Sequence, residues 1–231
     1  MPEQSTATAP EWAGSVLLTI DMQQDFASEG GNAYVSGTSE ITTNCARLVD
    51  AFRAAARPII HVVRLYEVDG SNAELGRRDH IAKNGPIAAP GTSGSQLTPA
   101  LCLQRQPELD AGRLLTGELQ RLGAQEWAMF KPRWSAFFDT QLEGFLRSMG
   151  ASTVVVSGCN LPNCPRATLF DASERDFRAV LVSDATSQVD ERRLADLSLI
   201  DVHVLSTPMI EAKLGCLRDR SRPGTQENEA Q

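Results

Sequence analysis

The chain has 231 residues, 42% of them hydrophobic and 22% charged, which suits one globular domain with a sizeable core. The formal net charge of -7, without any run of lysine or arginine, argues against a nucleic-acid-binding surface. No apolar stretch approaches the length of a membrane span, and Met1 to Gly14 lacks the layout of a signal peptide, so we expect a cytoplasmic protein without membrane or nucleic-acid partners.

Hydrophobic patterning predicts strands and helices that alternate along the chain. Strands are expected at Ser15–Ile20, Pro58–Arg64, Glu126–Lys131, Thr153–Ser157, Ala179–Ser183 and Val202–Leu205. Helices are expected at Ser39–Ala56, Phe138–Met149, Cys164–Asp176 and Asp190–Ile200, with a short one near Ser71–Ala82. Such alternation indicates right-handed βαβ units. We therefore predict an α/β fold, a Rossmann-like three-layer α/β/α sandwich with a mostly parallel six-stranded sheet and helices on both faces.

The domain organisation predicted from composition is simple. One domain is expected over residues 15–216, between mobile tails at 1–14 and 217–231 that lack apolar periodicity. Within the domain, the stretch from Leu65 to about Pro107 is irregular and dense in Gly, Pro, Ser and Asn. So long a connection in a compact domain usually serves as a lid, a pocket wall or a subunit contact.

Three reactive residues follow predicted strands. Asp21 ends the first strand, Lys131 ends the third, and Cys164 lies in the turn where a β-branched run breaks at Gly158 and a helical pattern begins. Ligands of parallel sheets bind at the carboxyl ends of strands, so these side chains are expected at one edge. The positive end of a helix dipole favours the nucleophilic thiolate of Cys164. An acid, an ammonium and a thiol at three strand ends predict a catalytic cysteine site.

Each of these residues also has a structural alternative. Cys164 could be a small buried hydrophobe, which is the commonest fate of a free cysteine. Asp21 could cap a turn, and Lys131 could be a solvated strand end. Asp25 is expected to make structural hydrogen bonds, and Cys159 fits a turn residue better than a second nucleophile, since only Cys164 opens the helix.

The chain offers little for a metal or a disulfide. Its five cysteines are odd in number and widely spread, which disfavours a disulfide framework. Cys159 and Cys164 are separated by four residues, too many for a thioredoxin-like pair. The histidines, His61, His80 and His203, lie on different predicted elements. Because a zinc site needs converging ligands, we expect no metal and no organic cofactor.

Four sequence blocks together resemble the isochorismatase-like cysteine hydrolase superfamily, which includes N-carbamoylsarcosine amidohydrolases, biuret hydrolases and streptothricin hydrolases. The match covers roughly Val16 to Leu205. The blocks are Thr19–Phe26, Gly91–Gly94, Lys131–Phe137 and Gly158–Cys164, with Asp171-Ala172 beyond the last. A single block would be weak evidence, but four in the family's order make the resemblance specific.

The resemblance implies a catalytic triad of Asp21, Lys131 and Cys164. In that triad Asp21 accepts the thiol proton, Lys131 stabilises the thiolate and Cys164 attacks a carbonyl carbon. The resemblance also implies a cis peptide bond between Cys159 and Asn160. That bond would direct the N–H groups of Asn160 and Cys164 at the developing oxyanion.

The sequence departs from the family pattern in three places. Asn160-Leu161-Pro162 replaces a turn of small residues and threonine, and Pro165 after the nucleophile suits a first helical turn. Metal-binding nicotinamidases carry Asp-x-His after the second strand, whereas this chain has Arg64-Leu65-Tyr66, so neither the metal nor nicotinamidase activity is expected. True isochorismatases lack the cysteine, so Cys164 argues against their chemistry.

Four large apolar or aromatic side chains are candidates for the pocket wall, although each could equally belong to the core. These candidates are Phe26, Tyr66, Trp134 and Leu161. Arg64 and Arg133 could bind a substrate carboxylate or could each form a salt bridge instead.

The sequence therefore predicts a cysteine-dependent amidohydrolase that cleaves a C–N bond of a small amide, ureido or lactam substrate through a thioester. One alternative is a non-catalytic binding protein that keeps the fold, motivated by the unusual turn at Asn160-Leu161-Pro162. Another is a redox-sensing role for Cys159 and Cys164. The resemblance also implies a homodimer or homotetramer, for which the long loop is a candidate contact.

Overall fold

The computed structural model of the protein describes residues 6–104 and 106–220. A seven-stranded sheet with the order β3-β4-β2-β1-β5-β6-β7 forms its centre. The strands are β1 (Ser15–Ile20), β2 (Ile59–Val63), β3 (Gln120–Gly123), β4 (Glu126–Phe130), β5 (Thr153–Gly158), β6 (Arg178–Thr186) and β7 (His203–Leu205). Every neighbouring pair in this sheet is parallel except β3 and β4.

Helices cover both faces of the sheet, which confirms the predicted three-layer α/β/α fold. They are α1 (Gln24–Ala27), α2 (Thr38–Ala54), α3 (Leu75–Asn84), α4 (Ala111–Leu115), α5 (Leu142–Ser148), α6 (Cys164–Ser173), α7 (Glu191–Ser198) and α8 (Thr207–Arg220). Helices α5, α6 and α7 contribute to one hydrophobic cluster, and α2 and α8 contribute to another. Successive strand side chains point to opposite faces, so Leu18 belongs to the first cluster and Leu17 to the second.

The prediction of six strands was wrong by one, because β3 was missed. This strand has the polar sequence Gln-Arg-Leu-Gly and lies at the sheet edge, where it pairs antiparallel with β4. Only Leu122 among its side chains is a buried hydrophobe. An edge strand with one apolar residue lacks the alternation or the apolar run that marks a strand in a sequence.

The structure differs from the predicted tails where it describes them. The Glu11 N–H donates to Thr153 Oγ1 at 2.9 Å, and the Glu11 carboxylate lies 2.7 Å from Arg178 Nη2. Trp12 packs against the second hydrophobic cluster, and α8 continues through Arg220. Residues 1–5 and 221–231 lie outside the described residues. We propose a single folded domain that includes these ordered segments.

No helix in residues 6–104 and 106–220 combines the length and apolar character needed to cross a membrane.

The strand order reverses at β1, which places a crevice at one edge of the sheet. The chain passes from β1 to β2 on one side, and β5 pairs with β1 on the other side. Such a reversal opens a crevice at the carboxyl ends of the two central strands. Asp21 follows β1 and the turn leading to Cys164 follows β5, so both residues border this crevice.

Gly158 allows β5 to end in close contact with β1. Its φ is +111°, a conformation that side-chain-bearing residues rarely adopt. A Cβ atom at this position would lie 2.2 Å from the Ile20 carbonyl oxygen. The neighbouring Cys159 N–H donates to that same oxygen at 2.8 Å, so the two strand ends are held together at the crevice.

We expect Gly158→Ala to lower the free energy of unfolding by at least about 2 kcal/mol, because the strained φ and the backbone clash both act against the fold. Urea denaturation followed by circular dichroism measures this change. Gly144→Ala is the control, since Gly144 is an exposed residue of α5 with no atom within 4 Å of the added Cβ. The control should be stabilised by up to about 1 kcal/mol. Equal stability of the two variants would contradict the conclusion that position 158 requires glycine.

Candidate active site

The structure brings Asp21, Lys131 and Cys164 together at the carboxyl edge of the sheet. Lys131 Nζ lies 2.9 Å from Asp21 Oδ2 and 3.2 Å from Cys164 Sγ. Lys131 is 0% exposed, and the other two residues are each 5% exposed. One buried ammonium group therefore contacts both the carboxylate and the sulfur atom, an arrangement available to nucleophilic catalysis.

The length of the lysine side chain matches the topology of the sheet. Lys131 follows β4, and β4 is separated from β1 by β2. Because neighbouring strands are about 4.8 Å apart, the ends of β4 and β1 are separated by roughly 10 Å. The backbone N–H of Lys131 donates to Val63 O at 3.0 Å, and that of Asp21 donates to Val62 O at 2.9 Å. Both residues are thus anchored on β2, and the long side chain of Lys131 spans it.

Asp21 has one carboxylate oxygen paired and one free. Its φ of +52° is in the left-handed region, which aspartate tolerates better than most residues. Oδ2 accepts from Lys131, whereas the buried Oδ1 accepts no hydrogen bond from a described residue. A buried acceptor without a partner is uncommon, and here it offers a position for a proton.

The start of α6 is tied to the segment that follows Lys131. The Thr168 hydroxyl donates to Cys164 O at 2.8 Å and accepts from the Ala136 N–H at 3.0 Å. Pro165 occupies the first turn of α6, as predicted from its position after the cysteine. These contacts hold the sulfur atom of Cys164 beside Lys131 Nζ.

Burial, and after it the negative charge of Asp21, raise the pKa of Cys164 to about 11. The positive charges of Lys131 and Arg64 act in the opposite direction without cancelling these effects. The expectation that the thiolate is the favoured form was therefore wrong for the free protein. The helix dipole is a modest effect, whereas removal of a thiolate from water is costly. The raised pKa favours the thiol form of Cys164 at neutral pH.

The turn between β5 and α6 contains the cis peptide bond expected between Cys159 and Asn160. The Leu161 N–H donates to Ser187 O at 2.9 Å, and the Asn163 N–H donates to Asn160 O at 3.0 Å. In the described part of the chain, neither the Asn160 nor the Cys164 N–H donates a backbone hydrogen bond in this turn. These two donors remain open to a ligand.

A cavity of about 50 Å³ adjoins the three residues. Its lining includes Phe26, Tyr66 and Trp134, which were predicted to wall the pocket. The residues that line it are Asp21, Phe26, Val35, Arg64, Tyr66, Arg77, Trp134, Cys159, Asn160, Asn163 and Cys164. Small-molecule sites usually measure about 300–1,000 Å³, so this cavity suits a very small ligand.

Leu161, a candidate for the pocket wall, and Arg133, a candidate for binding a carboxylate, are not among the residues that line the cavity. Leu161 is fully buried in the hydrophobic cluster that contains the α6 residue Leu169. Its backbone bond to Ser187 fixes the turn, and its apolar side chain packs into the core rather than the crevice. Arg133 Nη1 donates to Asn72 O at 3.2 Å, so its guanidinium is engaged by the long loop.

Arg64 lies in the cavity wall, where Glu74 neutralises it. The two side chains form a buried ion pair, and the Tyr66 hydroxyl donates to the other Glu74 oxygen at 3.0 Å. Arg64 Nη1 also donates to Lys131 O at 3.3 Å. Sequence reasoning left both a salt bridge and carboxylate binding open for Arg64, and the structure contains the salt bridge.

Arg77 and Asn163 line the cavity but were not identified from the sequence. Arg77 lies on α3, within the long irregular stretch, where no periodicity indicates which side faces the crevice. Asn163 precedes Cys164 directly, and that adjacency was the available signal.

Asp25 makes the structural hydrogen bonds that were predicted for it. Its Oδ2 accepts from the Ala88 N–H at 2.6 Å, and its Oδ1 accepts from the Asn32 N–H at 3.2 Å. A Cβ atom at Gly94 would lie 2.3 Å from this carboxylate. Asp25 therefore holds the long loop against α1, beside the cavity.

The residues around the cavity do not suit a metal ion. Asp21 and Glu74 are each paired with a cationic side chain, and Arg64 and Arg77 add positive charge to the wall. In residues 6–104 and 106–220, no group of three His, Cys, Asp or Glu side chains is arranged to hold a metal ion.

The amino-acid sequence is similar to those of known proteins. A family model described as Isochorismatase domain matches residues 15–208. A protein named "Probable inactive nicotinamidase" from Arabidopsis thaliana is 34% identical over 182 residues, 78% of this chain and 83% of that protein. Ureidoacrylate amidohydrolase RutB from Yersinia enterocolitica is 31% identical over 189 residues, 76% of each chain.

Solved structures show the same fold. An isochorismatase family protein from Desulfovibrio vulgaris has a TM-score of 0.73 and 30% identity, over 87% of this chain and 98% of that chain. N-carbamoylsarcosine amidase from Thermoplasma acidophilum has a TM-score of 0.64 and 21% identity, over 84% of this chain and 96% of that chain.

We expect Asp21→Asn to lower the pKa of Cys164, because the variant removes a negative charge that raises it. The titration midpoint of Cys164 in the variant should therefore lie below the parental value of about 11. The rate of iodoacetamide alkylation at Cys164, measured by peptide mapping against pH, reports this midpoint. Exposed Cys216 is the internal reference and should be unaffected. An unchanged or higher midpoint at Cys164 would show that Asp21 does not control the thiol.

Proposed function

The chain belongs to the isochorismatase family, and we propose that it is a cysteine-dependent amidohydrolase. It cleaves a C–N bond of a small amide, ureido or lactam substrate through a thioester. The observation that carries this proposal is the contact of Lys131 Nζ with both Asp21 Oδ2 and Cys164 Sγ in a buried crevice. The amidohydrolase names of relatives such as RutB support it.

In the first step, Cys164 Sγ adds to the substrate carbonyl carbon while its proton passes to Asp21. The raised pKa of Cys164 means that the proton leaves during attack rather than beforehand. Lys131 stabilises the charge on sulfur, and the N–H groups of Asn160 and Cys164 bind the carbonyl oxygen as it becomes negative. One such oxyanion donor is typically worth about 3–4 kcal/mol of barrier.

In the second step, the tetrahedral intermediate collapses and the C–N bond breaks. Asp21 returns its proton to the leaving nitrogen, which leaves a thioester on Cys164. Asp21 then accepts a proton from water as the water oxygen attacks the thioester carbon. Collapse of this second intermediate releases the acid and restores the Cys164 thiol, so no oxidant or external cofactor is consumed.

Two alternatives receive unequal support. A non-catalytic binding role agrees with the "inactive" in the name of the Arabidopsis thaliana relative and with the small cavity. A redox pair of Cys159 and Cys164 is disfavoured, because burial raises the pKa of Cys159 to about 12 and thiol–disulfide exchange requires a thiolate. The homodimer or homotetramer expected from the resemblance is part of our proposal.

We expect Cys164→Ala to lose amide hydrolysis by roughly a thousandfold or more, as is usual when a covalent nucleophile is removed. Ammonia release is measured across ureido acids, biuret, maleamate and aromatic amides. Mass spectrometry of the parent should show an acyl group on the Cys164 peptide. Cys216→Ala, which changes an exposed cysteine, is the matched control and should keep parental activity. Residual Cys164→Ala activity within about tenfold of the parent would rule out the nucleophile.

We expect hydrolysis to survive exhaustive EDTA treatment and to gain nothing from added Zn²⁺, Mn²⁺ or Fe²⁺. The physical reason is that backbone N–H groups and Lys131 polarise the carbonyl in this mechanism. Activity is measured before chelation, after chelation and after each metal is added. Loss on chelation with recovery on one metal would show that the carbonyl is activated in another way.

A further inference from the structure

The charged side chains that line the cavity, counted with their ion-pair partners, carry one more positive charge than negative charge. Lys131 is paired with Asp21, and Arg64 is paired with Glu74. Arg77 forms no salt bridge with any residue in the described part of the chain, and its Nε is buried without a hydrogen-bond partner. A buried N–H donor of a guanidinium without an acceptor is costly, so an acceptor from outside the chain is expected there.

Arg77 is held in place by aromatic rings rather than by an anion. Its Cζ lies 5.7 Å from the ring centroid of Tyr66 and 5.8 Å from that of Trp134. Arg64 Cζ lies 5.3 Å and 5.6 Å from the same two centroids. Stacking on aromatic faces fixes a guanidinium and leaves its N–H donors free.

Glu74 is not available to neutralise Arg77. One of its oxygens is paired with Arg64, and the other accepts from the Tyr66 hydroxyl. Two guanidinium groups therefore share two rings but have one carboxylate between them. One of the two guanidinium groups therefore lacks a negatively charged partner.

We propose that Arg77 binds a carboxylate of the substrate, so that the protein acts on amido or ureido acids in preference to neutral amides. This inference rests on the proposed function, because it assigns the substrate class of the same site. A guanidinium binds a carboxylate through two parallel hydrogen bonds and stays charged at all working pH values. Transfer of the Cys164 proton to Asp21 takes place within the site and leaves the excess positive charge unchanged.

Arg64 and Arg77 have different roles because they lie at different depths in the cavity wall. Arg64 is 2% exposed and is among the charges that lower the pKa of Cys164, so it acts on the sulfur. Arg77 is partly exposed, so it lies nearer the mouth of the cavity. A substrate with its carbonyl at Cys164 and its carboxylate at Arg77 spans the crevice, and the cavity of about 50 Å³ limits it to a short acid.

The test uses Arg77→Met, which keeps an unbranched flexible side chain and removes the guanidinium group with its charge. The probes are succinamate and N-carbamoylglycine, each compared with its neutral methyl ester. Lys83→Met removes an exposed charge from the same helix and is the matched control. We expect Arg77→Met to raise KM for the two acids by about 10- to 100-fold with little change in kcat, since a hydrogen bond to a charged group contributes that much. The esters and the control variant should show no such change.

Calorimetric binding of the same probes to Cys164→Ala separates this inference from the proposed function. Binding of the acids that is lost in the Cys164→Ala, Arg77→Met double variant supports Arg77 even if the parent hydrolyses nothing. Hydrolysis of acids and esters with equal KM in the parent and Arg77→Met would overturn the carboxylate site and leave the amidohydrolase intact. An equal loss of kcat for acids and esters in Arg77→Met would show that Arg77 has a structural role and would overturn the inference. Failure of the acids to bind to Cys164→Ala would also overturn it.

Discussion

The buried ion pair between Asp21 and Lys131 is the interaction on which the rest of the site depends. A fully buried ammonium is tolerated only with a close counter-charge, and removing one partner of such a pair typically costs about 3–5 kcal/mol. The pair connects the ends of β1 and β4 across β2, so it links the sheet topology to the chemistry. The same Nζ contacts Cys164 Sγ, which places the sulfur relative to both charges.

The near neutrality of that pair explains the state of the cysteine. A lone ammonium would stabilise a thiolate strongly, but Asp21 offsets Lys131, and burial then decides the balance. A thiol at rest is far less reactive toward oxidants and alkylating reagents than a thiolate. In the proposed mechanism, the thiolate is therefore formed only when a substrate carbonyl is present and the proton can pass to Asp21.

Rigid and irregular parts of the chain contribute different functions to the crevice. The sheet positions Asp21 and Lys131, whereas the long stretch after β2 supplies the charged and aromatic wall. Gln23 joins the two parts: its Oε1 accepts from the Arg64 N–H at 2.8 Å, and its Nε2 donates to Arg64 O and Ser95 O, each at 2.7 Å. This division agrees with the general placement of specificity residues on loops that a rigid scaffold holds.

The sequence by itself determined the alternation of strands and helices, the mostly parallel sheet and the meeting of Asp21, Lys131 and Cys164, because apolar periodicity and strand ends are local properties. Only the tertiary structure decided the polar edge strand β3, the burial of Leu161 in the core and the place of Arg77 in the cavity wall. It also decided that burial and Asp21 raise the pKa of Cys164. Burial and the approach of distant charges set these features, and neither is encoded in the spacing of neighbouring residues.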